Sequence, residues 1–400
     1  MGVWHSRAAC SAALAAALPA PRCVVATPER CVIAAGVAER RSAPGFDVVD
    51  EPWRDGRLWL LRAPFDAATA WPGAAAIEVW RPREAYIVDD HGVFHVDDAG
   101  RVTDAGARGG MHDGGSRTLG RLASAASAEE ALAVRVEDEQ DRAAYQAAVQ
   151  LALGHIAAGT VSKLVIARRA RLVLPSLPRF AALVQALLED FVGSTVYARE
   201  WDEGRACFFG ASPEQLLRRS GEHVEVDAVA GTRRVAEAQA LLVSEKDRRE
   251  QHHVVQGVVA ALAGAGASSP SVSAVHVVDR GGLSHLACTV SARTQAPLSA
   301  LLEALHPTAA TAGTPRRQAV ALLSSIERLA RGDYGGLIGV IDRGSTVVAV
   351  ALRAAHVTLT EAFVFAGAGI VAGSDPASEW RETALKARVL IPAIARALRS

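Results

Sequence analysis

The sequence predicts an α+β fold, a large layered domain in which extended β-sheets are flanked by helices. Over roughly the first 120 residues, short apolar runs alternate with Gly, Pro and Asp, a pattern typical of strands and turns. From about residue 137 the pattern changes, and longer strand-like runs are separated by helical segments without the regular rhythm of β–α–β units. No segment repeats with a period of about 20 to 50 residues, which argues against solenoids and propellers.

Composition and charge narrow the functional class. The chain has 400 residues, of which 50% are hydrophobic and 22% charged, enough to bury one large core or two modest ones. Because 43 basic residues balance 43 acidic ones, no net field attracts nucleic acid or an anionic membrane. Charged residues and Gly interrupt the apolar runs before the roughly 20 residues that a bilayer span needs. We expect a soluble protein without a nucleic-acid or membrane partner, and a monomer, since no coiled-coil pattern is present.

The N-terminus and the cysteines bear on cellular location. Residues 1–21 resemble a secretory leader, but their Ala-rich middle is only weakly apolar and little charge precedes it. An N-terminal helix, or a disordered extension over residues 1–20, is therefore the preferred interpretation. The 5 cysteines include no C-x-x-C pair and cannot all be bridged within one chain, which favours a reducing, cytoplasmic location.

The first elements in chain order are strands. Apolar runs at 23–38, 58–65 and 75–96 predict N-terminal strands, and the polar, Gly-rich stretch 112–120 predicts a loop or lid. A helix then follows, because Tyr145 to Ile156 show helical spacing ahead of a suitable stop at Gly159. The later predicted strands are 163–174, 207–212, 214–221, 224–229, 337–341, 347–357 and 363–371.

A helix beginning at Ser244 carries acids next to an apolar stripe. Ser244 and Asp247 have the spacing of a capping box. The apolar line through Val254 and Ala261 projects backward to Asp247 and Glu250, which places a carboxylate toward the core. A hydrated first-turn acid, stabilised by the helix dipole, would give the same pattern.

A second helix, from about Asp375 to Pro392, places Glu379, Glu382 and Lys386 along one line. Taken alone, Glu382 and Lys386 could be an exposed ion pair worth a few tenths of a kcal/mol. Acids on two separate helices favour a cation-binding site over an exposed ion pair, because clustered carboxylates repel one another unless a cation joins them. Ligands that are all oxygen atoms favour Mg²⁺ over Zn²⁺.

Other polar residues and glycines lie where apolar residues are expected. Lys163 begins an apolar strand and Glu214 begins another, and each could be a strand-edge charge. Arg353 lies near the end of a run that the pattern predicts to be buried, where a guanidinium usually holds a carboxylate. Gly367 and Gly369 alternate in a strand, where they could admit a ligand close to the backbone or relieve crowding in a sheet.

Together, these segments resemble the chorismate-utilising enzymes, and most of all the isochorismate synthases. That family also includes salicylate synthases and the large subunits of anthranilate and aminodeoxychorismate synthases. The resemblance implies the α+β fold of anthranilate synthase component I, with residues 1–130 as a variable N-terminal part and residues 131–400 as the chorismate-binding catalytic region. The matching blocks, in order, are SKLVIARRARL, FFGASPEQLLRR, AVAGTRR, SEKDRREQ, LSHLACTV, LHPTAATAGTP, DYGGLIGVI, ALRAAHV and FAGAGIVAGSDPASEWRETALK.

The resemblance also implies a binding site for Mg²⁺ and chorismate. Glu250 and Glu382 match the family's metal-binding acids, and Glu379 matches a companion that acts through water, although Gln251 stands where His is common. Chorismate is a dianion, so a divalent cation, an arginine and free N–H groups suit its binding. The positions that match contacts around the substrate are Gly231, Thr232, His285, Ala310, Arg353, Gly367 and Lys386.

Lys163 and Glu214 match the base and the acid that form isochorismate by adding water at C2 and expelling the C4 hydroxyl. These roles require a neutral lysine and a protonated glutamate near neutral pH, and hence partial burial. Members of the family that use ammonia lack a lysine at the position of Lys163. Residues 229–231 also do not contain the lysine nucleophile of aminodeoxychorismate synthases. The resemblance therefore implies an isomerase without a glutamine amidotransferase subunit.

Two alternatives remain open. Salicylate synthases, which also eliminate pyruvate, carry Thr where Ala310 stands, so Ala310 favours isochorismate as the product, although the adjacent Thr311 replaces a usual apolar residue. The other alternative is a chorismate-binding paralogue without turnover, against which the complete set of acids, lysine and arginine argues. Isochorismate feeds menaquinone, catechol siderophores and salicylate, and the chain itself does not select a pathway.

Overall fold

The fold consists of antiparallel β-sheets with flanking helices, which confirms the predicted α+β class. The structure, a computed structural model, describes residues 2–55, 57–65, 76–105, 135–137, 142–280, 283–327, 329–342 and 345–399. The predicted loop or lid at 112–120 lies outside these residues. The α-helices are α1 (Gly2–Ala17), α2 (Asp50–Asp55), α3 (Arg142–Ala157), α4 (Phe180–Asp190), α5 (Ala240–Val243), α6 (Glu245–Gly264), α7 (Leu298–Leu305), α8 (Arg316–Ile326), α9 (Pro376–Arg388) and α10 (Ile391–Arg399). The strands are β1 (Arg22–Ala26), β2 (Arg30–Ala35), β3 (Glu39–Ala43), β4 (Trp59–Ala63), β5 (Ile77–Arg81), β6 (Glu84–Asp89), β7 (Gly92–Asp97), β8 (Val102–Asp104), β9 (Arg135–Glu137), β10 (Lys163–Val173), β11 (Thr195–Trp201), β12 (Ala206–Ser212), β13 (Gln215–Ser220), β14 (His223–Arg234), β15 (Ser268–Val272), β16 (His276–Arg280), β17 (Leu283–Arg293), β18 (Gly313–Thr314), β19 (Leu337–Asp342), β20 (Ser345–Val350), β21 (Ala354–Thr358) and β22 (Glu361–Ile370).

Strands from both ends of the chain share the two sheets. The first sheet has the order β18-β10-β22-β21-β12-β11-β1-β2-β6-β7-β8, with β9 beside β10. The second has the order β15-β17-β14-β13-β20-β19-β4-β5-β3, with β16 beside β17. In the first sheet β1 pairs with β11, and in the second β4 pairs with β19. The N-terminal strands therefore extend sheets whose other strands come from the rest of the chain.

The two sheets face each other across an apolar layer that contains Leu60, Trp80, Tyr197, Phe208 and Val340. Helices α1, α4 and α10 cover the outer face of the first sheet. Helices α6 and α7 cover the outer face of the second. Because apolar layers cover both faces of the first sheet, long stretches of its central strands are buried without alternation, namely residues 163–168 of β10 and 364–370 of β22.

The N-terminal segment is helical. Helix α1 buries Ala8 and Ala15 in the same apolar cluster as Leu187 of α4. The other helix predicted from spacing, α3, is also present, and Gly159 adopts a positive φ of 73° just after its end. Among the described helices, none combines the length and the apolarity needed to cross a bilayer.

The run 347–357, predicted as a single strand, is divided between the sheets. Its first half belongs to β20 in the second sheet and its second half to β21 in the first. Arg353 lies at the crossover with a φ of 47°, in the left-handed region. The single-strand prediction is wrong because a chain that leaves one packed sheet for the other has to bend sharply between them. The bend brings Arg353 to the space between the sheets.

Helix α6 begins as predicted, but its buried stripe differs by one position. The Ser244 side chain accepts a hydrogen bond from the Asp247 backbone N–H at 3.3 Å, as in a capping box. The buried positions are Asp247, Gln251, Val254 and their apolar successors, so Gln251 and not Glu250 continues the stripe. Glu250 lies next to the stripe with 15% of its side chain exposed, where it can face a cleft.

Candidate active site

A cleft at one end of the two sheets brings together most of the predicted site residues. It encloses about 680 Å³, part of it open to solvent. The walls come from β10, β14, β17, β22, α6, α9 and the turn at 308–312. Three predicted residues do not line the cleft: Lys163 and Glu382 contact Glu250 and Lys386, which do, and Glu379 contacts Lys246. The predicted residues that line it are Glu214, Gly231, Thr232, Glu250, His285, Ala310, Arg353, Gly367 and Lys386.

Lys163 lies directly behind the cleft wall. Its side chain is 0% exposed, and its Nζ donates a hydrogen bond to Glu250 Oε1 at 2.9 Å. The opposite strand leaves space for this ion pair at Gly369, where a Cβ atom would lie 2.3 Å from Glu250 Oε1 and 2.9 Å from Lys163 Cε. Gly369 is therefore required to admit the Lys163–Glu250 pair, a reason for the Gly-x-Gly pattern that the sequence left open.

The other two predicted metal ligands also hold lysines. Lys246 Nζ lies 2.7 Å from Glu379 Oε1, and Lys386 Nζ lies 2.6 Å from Glu382 Oε1. Lys246 on α6 thereby links this helix to α9, and Lys386 also donates to the Gly367 carbonyl at 3.0 Å. Three carboxylates and three ammonium groups are thus interleaved between α6, α9 and β10. Lys386 was predicted as a substrate contact, whereas Lys246, in the first turn of α6, was not predicted as a site residue.

The chemistry of these acids fits a divalent cation. Glu379 is buried and its Oε2 has no hydrogen-bond partner among the described residues. Burial and the neighbouring Glu382 both raise the pKa of Glu379, which means that the two carboxylates repel each other. In the part of the chain that the structure describes, no three His, Cys, Asp or Glu side chains already surround a metal position. The donor set is nevertheless the all-oxygen type that Mg²⁺ prefers.

Glu214 is a buried acid on the cleft wall. Glu214 lies in the short connection between β12 and β13. Its Oε1 atom has no hydrogen-bond partner among the described residues. Burial raises the pKa of Glu214 to about 7, although the nearby Thr308 side chain and the charge of Lys163 act in the opposite direction. A large fraction of Glu214 is therefore protonated near neutral pH, so this side chain can donate a proton.

Arg353 is oriented by His285. Because the Gly231 carbonyl can only accept, the 2.9 Å contact from His285 Nδ1 places the ring proton on that nitrogen. His285 Nε2 then accepts from Arg353 Nη2 at 3.3 Å. Burial and Arg353 hold the pKa of His285 well below its usual value, so the ring is neutral. Burial also lowers the pKa of Arg353 to about 10, which leaves it a cation at neutral pH.

Other residues that line the cleft were not predicted. Tyr334 stacks on Phe365 with ring centres 5.3 Å apart, and Arg331 reaches the cleft from a loop. Thr311, noted only as a departure, lines the cleft, but its hydroxyl donates to the Thr308 carbonyl at 3.2 Å. Tyr334 and Arg331 lie between periodic segments, so no helix or strand pattern drew attention to them.

Similar proteins are named as isochorismate synthases. Over 267 residues the chain is 35% identical to the salicylate biosynthesis isochorismate synthase of Pseudomonas aeruginosa, covering 62% of this chain and 54% of the relative. Over 202 residues it is 37% identical to isochorismate synthase MenF of Haemophilus influenzae, covering 48% and 47%. The chain thus spans about half the length of these curated relatives.

A solved structure has the same fold. A putative 2,3-dihydroxybenzoate-specific isochorismate synthase, DhbC, from Bacillus anthracis superposes with a TM-score of 0.77 at 23% identity, covering 96% of this chain and 99% of that one. The model of one family, described as chorismate binding enzyme, matches residues 115–395. This match extends over every wall of the cleft, and the chain therefore belongs to the chorismate binding enzyme family.

Proposed function

We propose that this protein is an isochorismate synthase, an isomerase that converts chorismate to isochorismate. The proposal rests above all on Glu214, a buried acid with a pKa of about 7 that lines the same cleft as the Arg353 cation and Glu250. Glu250 in turn holds Lys163, so an acid lies on the cleft wall and a potential base lies directly behind that wall. The names of the similar proteins agree with this activity.

Lys163 and Glu214 would carry out the two proton transfers. Lys163, in its neutral form, takes a proton from the water molecule that adds at C2 of the ring. Glu214 gives a proton to the C4 hydroxyl, which leaves as water while the ring double bonds shift. One water enters and one leaves, so the product is an isomer, and a proton returning from Lys163 to Glu214 restores both groups. Each transfer of this type typically contributes about 10²- to 10⁴-fold to the rate.

The rest of the site binds and orients the dianion. Arg353, held by His285, offers a guanidinium to a substrate carboxylate. Glu250 and Glu382 would hold Mg²⁺, with Glu379 as a companion that acts through water. A bound Mg²⁺ would neutralise these acids and supply positive charge for a carboxylate of the substrate.

Salicylate synthase is the second candidate, and Thr311 on the cleft wall is the observation in its favour. The Thr311 hydroxyl is engaged with the Thr308 carbonyl, and Ala310 offers none, so we expect no pyruvate elimination. We also propose a cytoplasmic monomer that acts without an amidotransferase subunit. The five cysteines, all unpaired in the structure, agree with a reducing compartment.

One assay tests the proposed activity and its alternatives. The purified protein is incubated with chorismate, with and without Mg²⁺ and an ammonium salt, and the products are separated by chromatography. We expect isochorismate only when Mg²⁺ is present, with no pyruvate and no aminated product. Stoichiometric pyruvate would identify a salicylate synthase, and calorimetric binding of chorismate without any product would identify a non-catalytic paralogue.

A further inference from the structure

A buried ion pair between Arg331 and Glu327 lies at the cleft, whose lining includes Arg331. The side chains of Arg331 and Glu327 are 1% and 0% exposed. They form two hydrogen bonds, Arg331 Nη2 to Glu327 Oε1 at 2.6 Å and Arg331 Nε to Glu327 Oε2 at 2.8 Å, and the guanidinium stacks over Phe65 at 4.4 Å. Burying two charges has a large desolvation cost, so such a pair is weak evidence for a purely stabilising role.

Further hydrogen bonds of the pair go to the backbone of two separate segments. Arg331 Nη2 donates to the Val165 carbonyl at 2.8 Å, and Glu327 Oε1 accepts from the Ala167 N–H at 2.7 Å, both on β10. Arg331 Nη1 donates to the Thr311 carbonyl at 2.7 Å, in the turn at 308–312. The ion pair therefore joins this turn to the strand that carries Lys163.

The two segments are already in close contact. The Val165 N–H donates to the Ala312 carbonyl at 2.8 Å. A Cβ atom at Gly313, where φ is 145°, would lie 2.3 Å from the Lys163 carbonyl oxygen, so only glycine permits this approach. A shift of the turn along β10 would move Ala310 and Thr308 relative to both Lys163 and Glu214.

We infer that Arg331 and Glu327 are positioning residues, which hold the turn at 308–312 in register with β10 and thereby set the placement of Lys163 opposite the substrate. The kinetic consequence rests on the proposed function, whereas the structural consequence does not. Misplacement of a catalytic group by about 1 Å can cost on the order of 100-fold in rate. Loss of the clamp should therefore reduce kcat far more than it weakens chorismate binding.

The chain offers a matched control in Arg219. This residue is 1% exposed, donates to the carbonyls of Gly221 at 2.9 Å and Ala296 at 2.7 Å, and stacks over Trp53 at 3.9 Å. It does not line the cleft. Arg331→Lys and Arg219→Lys both keep a buried positive charge and both lose the fork of N–H donors that binds two carbonyls. If both arginines only stabilised the fold, the two substitutions would have similar effects on kcat and on the melting temperature.

The test compares these variants with the wild-type protein in three measurements. We expect both to lower the melting temperature, but only Arg331→Lys to lower kcat, by roughly tenfold to 100-fold, with chorismate affinity in calorimetry changed less than about threefold. Amide hydrogen exchange, followed by mass spectrometry, should accelerate in peptides covering 163–167 and 308–312 only in Arg331→Lys.

Several results would overturn the inference. These are a wild-type kcat in Arg331→Lys, an equal loss of kcat in Arg219→Lys, or unchanged exchange in the two segments. If Arg331→Lys does not fold, Glu327→Gln, which keeps the shape of the side chain, is measured in the same way and should show a smaller change of the same sign. If the wild-type protein forms no isochorismate, the proposed function fails, and the exchange experiment still decides whether the clamp exists.

Discussion

The proposed chemistry depends most directly on Lys163. Lys163→Ala is expected to abolish water addition, a loss of about 10²-fold or more in kcat, and to leave Mg²⁺-dependent chorismate binding intact. Lys163→Arg tests the same role with the Glu250 ion pair preserved, because an arginine stays protonated and cannot act as the base. Steady-state kinetics and calorimetry measure the two properties, and an active Lys163→Ala variant would refute the assignment.

The raised pKa of Glu214 leads us to expect that kcat depends on pH. Because burial raises its pKa to about 7, the fraction of protonated acid falls as the pH rises through that value. We expect kcat to decline about tenfold per pH unit on the alkaline side, and Glu214→Gln, which has no acidic proton, to be slow and to lack this limb. A wild-type kcat that stays constant between pH 6 and about 9 would exclude Glu214 as the acid.

The same group makes the stability of the fold pH-dependent. Its pKa in the folded protein lies above the ordinary value of 4.5, so folding favours the protonated form. The stabilisation that this pKa shift contributes is complete below the pKa of Glu214 in the unfolded chain, and it is lost as the pH rises through about 7. Between pH 5 and about 8, the wild-type free energy of unfolding in urea should therefore fall relative to that of Glu214→Gln. Parallel pH profiles of the two proteins would contradict this expectation.

At the scale of secondary-structure elements, the Lys246–Glu379 ion pair links α6 to α9, and each helix carries one of the proposed Mg²⁺ ligands. Glu250→Gln and Glu382→Gln should each lower the affinity for Mg²⁺ by on the order of 10-fold to 100-fold, because each removes an anionic oxygen ligand. Glu245→Gln is the matched control, since it removes an exposed acid from the first turn of α6. Titration calorimetry with Mg²⁺ checks this expectation, and equal affinities in all three variants would remove the metal site from the proposal.

Local signals predicted where elements begin better than which faces they bury. The Ser244 capping box and the Asp375 N-cap, which accepts from the Ser378 N–H at 2.7 Å, follow from residues three positions apart and were readable in the sequence. The buried stripe of α6 was displaced by one position because Gln251, a polar residue, is buried by its hydrogen bond to the Ala228 carbonyl at 2.8 Å. That contact depends on β14, which no helical periodicity can reveal.

At the scale of the whole molecule, the N-terminal third completes both sheets. We propose that residues 1–130 and 131–400 form one folding unit, because β1 and β4 pair with β11 and β19 of the later region. A chain of residues 142–400 would leave those two strand edges unpaired and expose the apolar layer between the sheets. We expect it to aggregate or to lack a cooperative thermal transition, as followed by circular dichroism and light scattering.

A second deletion provides the comparison for that experiment. Removal of residues 1–17 takes away α1 but leaves every strand of both sheets, so the shortened protein should fold with a lower melting temperature. A soluble 142–400 chain that unfolds cooperatively would show that the later region is a domain by itself.

Local patterns and the order of nine sequence blocks were sufficient to predict the α+β class, the main helices and strands, and most of the residues around the cleft. Packing of the two sheets alone decided the contacts among them: Lys163 on Glu250, His285 behind Arg353, and Arg331 joined to Glu327 and two backbone segments. Periodicity reports only which face of an element is apolar. Apart from Glu327 and Arg331, the partners in these pairs belong to elements that are distant in the chain. They become neighbours because the two sheets and the crossover at Arg353 bury them in a common space.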